Sequence, residues 1–270
     1  VIQDVSRKDE IHFLAIQRNG KVVAAGGWNN ANVLATTDIY APVANSWSAA
    51  GSLAVAREAH TATLLSNGKV LVAGGYDSAN ALASAELYDP DANTWSPAGT
   101  LLFARFFHTA TLLSNGKVLV VGGHDGTGGL ASAELYDPVA NTWSPAAGLM
   151  AARYSQSLTL LPSGKVLVVG GFGVAGVLAS VELYDPTADT WTPAGGLVVA
   201  RYLHTATLLP SGKLLVAAGR DAANLFDSAE LFDLVTGTSS LTGSLATGRY
   251  DHSGTLLLNG KVLAAGGTGS

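Results

Sequence analysis

A chain of 270 residues, 48% of them hydrophobic and 13% charged, is long enough to bury a substantial core, on the order of three quarters of its unfolded surface. Its net charge of −5 includes no block of like charge, which argues against a nucleic-acid partner, and without cysteine it has neither a disulfide framework nor thiolate chemistry. Abundant glycine (32 residues) beside few helix formers favours short strands joined by tight turns, at a length that all-β folds often fill as one domain.

The first residue is Val and no signal peptide is present, so the chain reads as a mature product or a cut-out fragment. Lack of cysteine fits an oxidising compartment as well as a cytosolic one; a secreted or cell-surface setting is favoured. The longest uncharged apolar stretch, 166–181, holds four glycines and falls short of the roughly 20 residues of a spanning helix, so a strand, a loop and a strand are expected there, and no membrane span.

The sequence repeats every 48 residues without insertion or deletion. Gly-Lys recurs at Gly20-Lys21, Gly68-Lys69, Gly116-Lys117, Gly164-Lys165, Gly212-Lys213 and Gly260-Lys261. A Gly-Gly pair keeps the same register, with Ala218-Gly219 as its variant copy. So do an aromatic (Tyr40, Tyr88, Tyr136, Tyr184, Phe232) and a Trp (Trp47, Trp95, Trp143, Trp191), the latter replaced by Ser239 in the fifth copy.

In chain order, each copy predicts four strands. In the second copy, residues 60–65 form the first, and Ser66-Asn67-Gly68-Lys69 a hairpin in which Asn-Gly supplies positive φ. Residues 69–73 form the second, an apolar run expected to be buried on both faces and ended by Gly74-Gly75, where a side chain would meet a neighbouring backbone. Ser84 to Asp89 form the third; a turn at 90–93 leads to the outermost, Thr94-Trp95-Ser96. Such a unit is a propeller blade, which buries its faces only by stacking on its neighbours.

The Arg-x-x-His start, the Gly-Gly pair, Tyr-Asp-Pro and Asn-x-Trp at fixed offsets resemble the kelch repeat. Their wording is similar to that of bacterial galactose-oxidase-like proteins, over about residues 12–267. The resemblance implies an all-β, kelch-type β-propeller of about six blades with four antiparallel strands each. The expected blades are 12–50, 58–99, 106–147, 154–195 and 202–243, with a partial sixth at 252–267 and the whole of 1–270 as one domain. In known kelch rings one terminus completes a blade begun by the other. Residues 1–11 are the spare segment, and Val1-Ile2-Gln3-Asp4-Val5 can supply one strand. That leaves the sixth blade a strand short, so an open edge that invites dimerisation is a further expectation.

Strand order puts the loop after the second strand and the loop before the first on one face, the top; the Gly-Lys hairpins lie at the bottom, their lysines read as solvated turn residues. The top should carry Arg57, Arg105, Arg153, Arg201 and Arg249, with Asp9 in the first copy, beside Glu58, Phe106, Tyr154, Tyr202 and Tyr250. After the Gly-Gly pair come Trp28, Tyr76, His124, Phe172 and Arg220. A rim of Arg and aromatics suits binding of a protein, peptide or glycan. The alternative for the arginines is pairing with Asp38, Glu86, Glu134, Glu182 and Glu230, which keep the same register. The aromatics vary between copies, which makes them the stronger binding candidates.

His12, His60, His108, His204 and His252 share one repeat position, with Gln156 in the remaining copy. Rotation about a propeller axis spreads such residues apart, whereas metal ligation needs them about 2 Å from one ion, so packing or backbone bonding is expected and no metal. The run 171–176 fits a dinucleotide-binding pattern but leads into a strand rather than the helix that pattern needs. Asp77, Asp125 and Asp221 in top loops suit side-chain turns better than calcium.

The galactose-oxidase resemblance implies a copper held by two Tyr and two His, one Tyr crosslinked to Cys. This chain has no Cys and no Tyr-His dipeptide, so the resemblance carries the fold and not the oxidase. No catalytic constellation and no cofactor are expected. The off-repeat acids Asp9, Glu58, Asp227 and Asp251 are glycosidase candidates only in principle. A non-catalytic binding or scaffold module leads; a carbohydrate-active enzyme or enzyme-associated domain, and a purely structural repeat of a larger surface protein, are the alternatives.

Overall fold

The computed structural model describes residues 11–17 and 19–269, and every regular element among them is a β-strand. Val1–Val5 and Asp9 lie outside the described residues, as does the side chain of His12. The chain forms two compact units: one runs to Gly128 and includes Ala133–Ala146, the other comprises Gly129–Ser132 and the residues from Ala147 on.

The first unit holds three blades. Blade I is β1 (Ile11–Ile16), β2 (Val22–Trp28), β3 (Thr37–Ala41) and β4 (Ser46–Ala49). Blade II is β5 (Thr61–Leu64), β6 (Val70–Ala73), β7 (Ser84–Asp89) and β8 (Thr94–Thr100). Blade III is β9 (Thr109–Leu112), β10 (Val118–Val121), β11 (Ala133–Asp137) and β12 (Thr142–Ala146). Each is a four-stranded antiparallel meander in chain order, and β5 lies beside both β1 and β9, so the first strands stand side by side.

In the second unit, blade IV is β13 (Ser157–Leu160), β14 (Val166–Val169), β17 (Ser180–Asp185) and β18 (Thr190–Gly196), with a small hairpin of β15 (Phe172–Gly173) and β16 (Gly176–Val177) in its top loop. This hairpin is what the dinucleotide-like glycine run forms. Blade V is β19 (Thr205–Leu208), β20 (Leu214–Ala217), β21 (Ala229–Asp233) and β22 (Thr238–Thr242). The sixth copy has β24 (Ser253–Leu256) paired with β25 (Val262–Ala265), plus a short pairing of β23 (Arg249–Tyr250) with β26 (Thr268–Gly269).

The apolar second strands are buried on both faces because alternate residues serve two interfaces. Val70 and Val72 of β6 pack with Val23 and Ile39 of blade I, while Leu71 and Ala73 pack with Val118 and Val120 of blade III. In β10 all four residues are fully buried, each apolar side chain contributing roughly 1.5–3 kcal/mol. On the outer strands Tyr88 sits opposite Trp95 at a 5.2 Å ring distance. The Tyr88 hydroxyl donates to Asn93 Oδ1, and Trp95 Nε1 donates to the Gly51 carbonyl of blade I, so the recurrent Tyr and Trp latch one blade to the next.

The hairpin differs from expectation in one respect. Only Gly68 takes positive φ (86°); Gly68 N–H bonds the Leu65 carbonyl and Asn67 Oδ1 accepts from Lys69 N–H. This is a type I turn closed by a left-handed glycine, whose sense of twist suits the flanking strands. The bottom lysines also do more than face solvent: Lys69, Lys117, Lys165 and Lys213 each pair with the Asp of the third strand of their own blade.

Candidate functional site

The arginines predicted for the rim are not at the surface. Arg57, Arg105, Arg153 and Arg201 are all 0% exposed, which corrects their assignment as ligand contacts. Arg57 Nη1 donates to the Gly74 and Ser84 carbonyls, and Nη2 to Ser84 Oγ and Glu86 Oε1 at 2.9 Å. Glu86 also accepts the Ala54 N–H at 2.8 Å, so the pair ties the third strand to the loop entering the blade. Glu134, Glu182 and Glu230 answer Arg105, Arg153 and Arg201 in the same way. Burial lowers the pKa of each of these arginines from its ordinary value, and the facing glutamate opposes that shift. Arg249 alone is partly exposed and bonds Gly266 O and Thr247 Oγ1 instead of a carboxylate.

The two sets of variable top residues are brought together. In copies two to five, the residue after the Arg and the residue after the Gly-Gly pair exchange both backbone hydrogen bonds. The pairs are Glu58 with Tyr76, Phe106 with His124, Tyr154 with Phe172, and Tyr202 with Arg220, at 2.8–3.1 Å. The glycines permit this: a Cβ on Gly75 would stand 2.7 Å from the Glu58 carbonyl, and its φ is 107°. Consecutive pairs then touch through their rings. In the first unit Phe106 lies 5.1 Å from Tyr76 and 5.2 Å from His124. In the second, Phe172 lies 5.4 Å from both Tyr154 and Tyr202, and the Arg220 guanidinium sits over Tyr202 (5.8 Å) and Tyr250 (5.1 Å). All of these side chains are half-buried, and Trp28 is 36% exposed. Each unit therefore presents a row of rings with accessible faces. Glu58 stands in the first row, its carboxyl raised by burial.

One position was missed. Ala59, Phe107, Ser155, Leu203 and Asp251, just before the repeat histidine or Gln156, all have positive φ near 50°. Phe107 N–H bonds the Ala59 carbonyl and Leu203 N–H the Ser155 carbonyl, a backbone link from blade to blade. Phe107 is 45% exposed and adds its ring to Phe106 at 5.2 Å. The signal was present: this position varies freely among otherwise regular copies.

The repeat histidines His60, His108, His204 and His252 are buried. His108 Nε2 lies 3.0 Å from Thr61 Oγ1, His204 Nε2 2.9 Å from Ser157 Oγ, and His252 Nε2 3.0 Å from Thr205 Oγ1. Burial holds all three below the ordinary imidazole value, His204 at about 3. Ser157–His204 has the contact of a nucleophile and its base. The same contact recurs with Thr in two other copies, and no carboxylate is bonded to His204 Nδ1 among the described residues, so it reads as a link between blades. Asp77, Asp125 and Asp221 each accept N–H groups two and three residues on, as side-chain turns do.

The comparisons with known proteins agree with this geometry. No curated protein matches the chain in sequence. Among solved structures, that described as "Structure of YjhT" superposes with a TM-score of 0.77 over 97% of this chain and 91% of its own, at 16% identity, a likeness of fold alone. The model of the KLHDC2/KLHL20/DRC7 Kelch-repeats domain matches residues 12–195, so the Arg-Glu clamps, Gly-Gly pairs and Tyr–Trp latches are those of a kelch-type β-propeller, and the chain belongs to that Kelch-repeats family.

Proposed function

We propose that the chain is a non-catalytic binding module whose top face takes a protein, peptide or glycan along its rows of rings. The observation that carries this reading is the pairing of variable top residues by reciprocal backbone bonds, with ring faces left accessible. Packing repeats the buried Arg, Glu and Tyr and the partly buried Trp in register, but it does not demand Tyr, His, Phe and Arg in turn after the Gly-Gly pair. Flat, partly exposed rings held on rigid backbone lose little conformational freedom on binding and stack on sugar faces, aromatic side chains or cations.

The test is a screen of the purified chain on glycan and peptide arrays, beside a Phe106→Ala/Phe172→Ala/Tyr202→Ala variant and a Lys117→Ala control on the bottom face. We expect one ligand class to be retained by the parent and by Lys117→Ala, and weakened at least tenfold in the ring variant with its circular dichroism unchanged. A ligand bound equally by the ring variant would sink the assignment of the top face.

A further inference from the structure

In the row of the first unit a charge takes the place of a ring. The residue after the repeat Arg is aromatic in copies three to six (Phe106, Tyr154, Tyr202, Tyr250) and is Glu58 in the second. Backbone holds Glu58 in the row: its N–H donates to the Tyr76 carbonyl at 3.0 Å, and its carbonyl accepts the Tyr76 N–H at 2.9 Å. The bond from Gly75 N–H to the Arg105 carbonyl accompanies the ring contact of Tyr76 with Phe106. Its counterpart one copy earlier, from Gly27 N–H to the Arg57 carbonyl at 2.8 Å, sets Trp28 and Glu58 in the same relation. Glu58 therefore stands in register between two aromatic residues, with Phe106 and Phe107 beyond Tyr76.

The charge of this row is one-sided. Arg57 and Arg105 are fully buried and bound to Glu86 and Glu134, so they offer nothing to a ligand. Among the described residues, the accessible charges along the row are Glu58 and, in the loops after Tyr76 and His124, Asp77 and Asp125. The row of the second unit carries a cation instead, Arg220 over Tyr202. Glu58 is half-buried, and that burial raises its carboxyl from the ordinary value. A carboxylate drawn partly out of water gains most from an opposite charge. The faces of neighbouring rings attract the same cation, which a neutral sugar hydroxyl cannot exploit.

We propose that the first row receives a lysine or arginine side chain of a partner polypeptide, its cation against the Glu58 carboxylate and its apolar stem along the Tyr76 and Phe106 rings. This rests on the reading of the top face as a binding surface and narrows its ligand class for one row. The charge-assisted bond and the rings act on the same cation, and the apolar stem of such a side chain suits the ring surface. Asp77 and Asp125 are tied to their own loops as side-chain turns and add attraction at longer range, which favours a basic partner segment.

The probes are N-acetyl-lysine methylamide, its arginine counterpart and the uncharged norleucine counterpart, titrated into the intact chain labelled with para-fluorophenylalanine. Fluorine NMR reads the Phe106 resonance, assigned by Phe106→Tyr. We expect saturable shifts with the lysine and arginine probes, and affinity at least fivefold weaker for norleucine and for Glu58→Gln. The norleucine probe needs no altered protein, so misfolding of Glu58→Gln cannot mask the result. Equal binding of norleucine, no loss in a folded Glu58→Gln, or no saturable shift with either cation overturns the proposal. So does a methyl glycoside that shifts Phe106 in the parent and in Glu58→Gln alike where the cations do not. That result would leave the row a binding surface, for sugar, and so separates failure of the cation assignment from failure of the top-face reading.

Discussion

At the scale of single residues, much of this fold depends on backbone that L-amino acids resist. The first glycine of each Gly-Gly pair has φ near 60°, and at Gly74 a Cβ would lie 2.5 Å from the Arg105 carbonyl and 2.8 Å from His108 Cε1. Arg105 cannot yield, because its guanidinium is clamped by Glu134 and Gly122 O. Ala218 occupies the same position in the fifth copy at φ 57°, where the register sets it toward Arg249, the one described arginine of the series without a carboxylate clamp. Gly74→Ala should therefore cost on the order of 3 kcal/mol, from left-handed strain and overpacking together. Ala218→Gly trades relief of about 1–2 kcal/mol of strain against a lost methyl and a more flexible unfolded chain, and should stay within about 1 kcal/mol of the parent. Denaturant midpoints of the two variants test this asymmetry; equal effects would contradict it.

At the scale of elements, the same repeat position gives unequal strands. β14 and β25 both read as apolar second strands, yet β14 is buried throughout and β25 is half-exposed, because β14 has third and fourth strands outside it and a neighbouring blade against it. Local opening energy follows buried contact, so backbone amides of β24 and β25 should exchange with solvent at least a hundredfold faster than those of β14 and β20. Hydrogen exchange read by mass spectrometry on peptides spanning 253–265 and 166–169 checks this. Uniform protection would contradict this expectation.

At the scale of the molecule, the repeat histidines tie stability to pH. His204 is neutral in the folded state, held at about 3, while in the unfolded chain it titrates near 6.5. Between these values the unfolded state binds a proton that the folded state does not. Stability therefore falls as pH drops below 6.5, by about 1.4 kcal/mol per pH unit for each such histidine, and the loss is complete near the folded value. His108 adds to it in the same direction. Unfolding midpoints measured from pH 7 to 5, where most carboxylates stay ionised, should decline, and His204→Gln should flatten the decline, Gln156 being the side chain that the chain itself places at this position. A parent with a flat profile in this window would rule out buried neutral imidazoles.

The sequence by itself determined the blade. A 48-residue period, apolar second strands and fixed Gly-Gly, Tyr and Trp positions leave one way to bury both faces, and strands such as Ser84–Asp89 fall where the wording puts them. It also named the residues of the candidate face, from Tyr76 to Arg220. It offered Glu86 as a partner for Arg57 and favoured Tyr76 over it as a binding residue, but could not decide that Arg57 is buried, since a guanidinium reads the same whether it faces solvent or a buried Glu86 on a strand 29 residues away. Only the tertiary structure decided that, because burial is settled by which strands stack on a residue. For the same reason it took the folded chain to set Phe107 in a left-handed, exposed position beside Phe106.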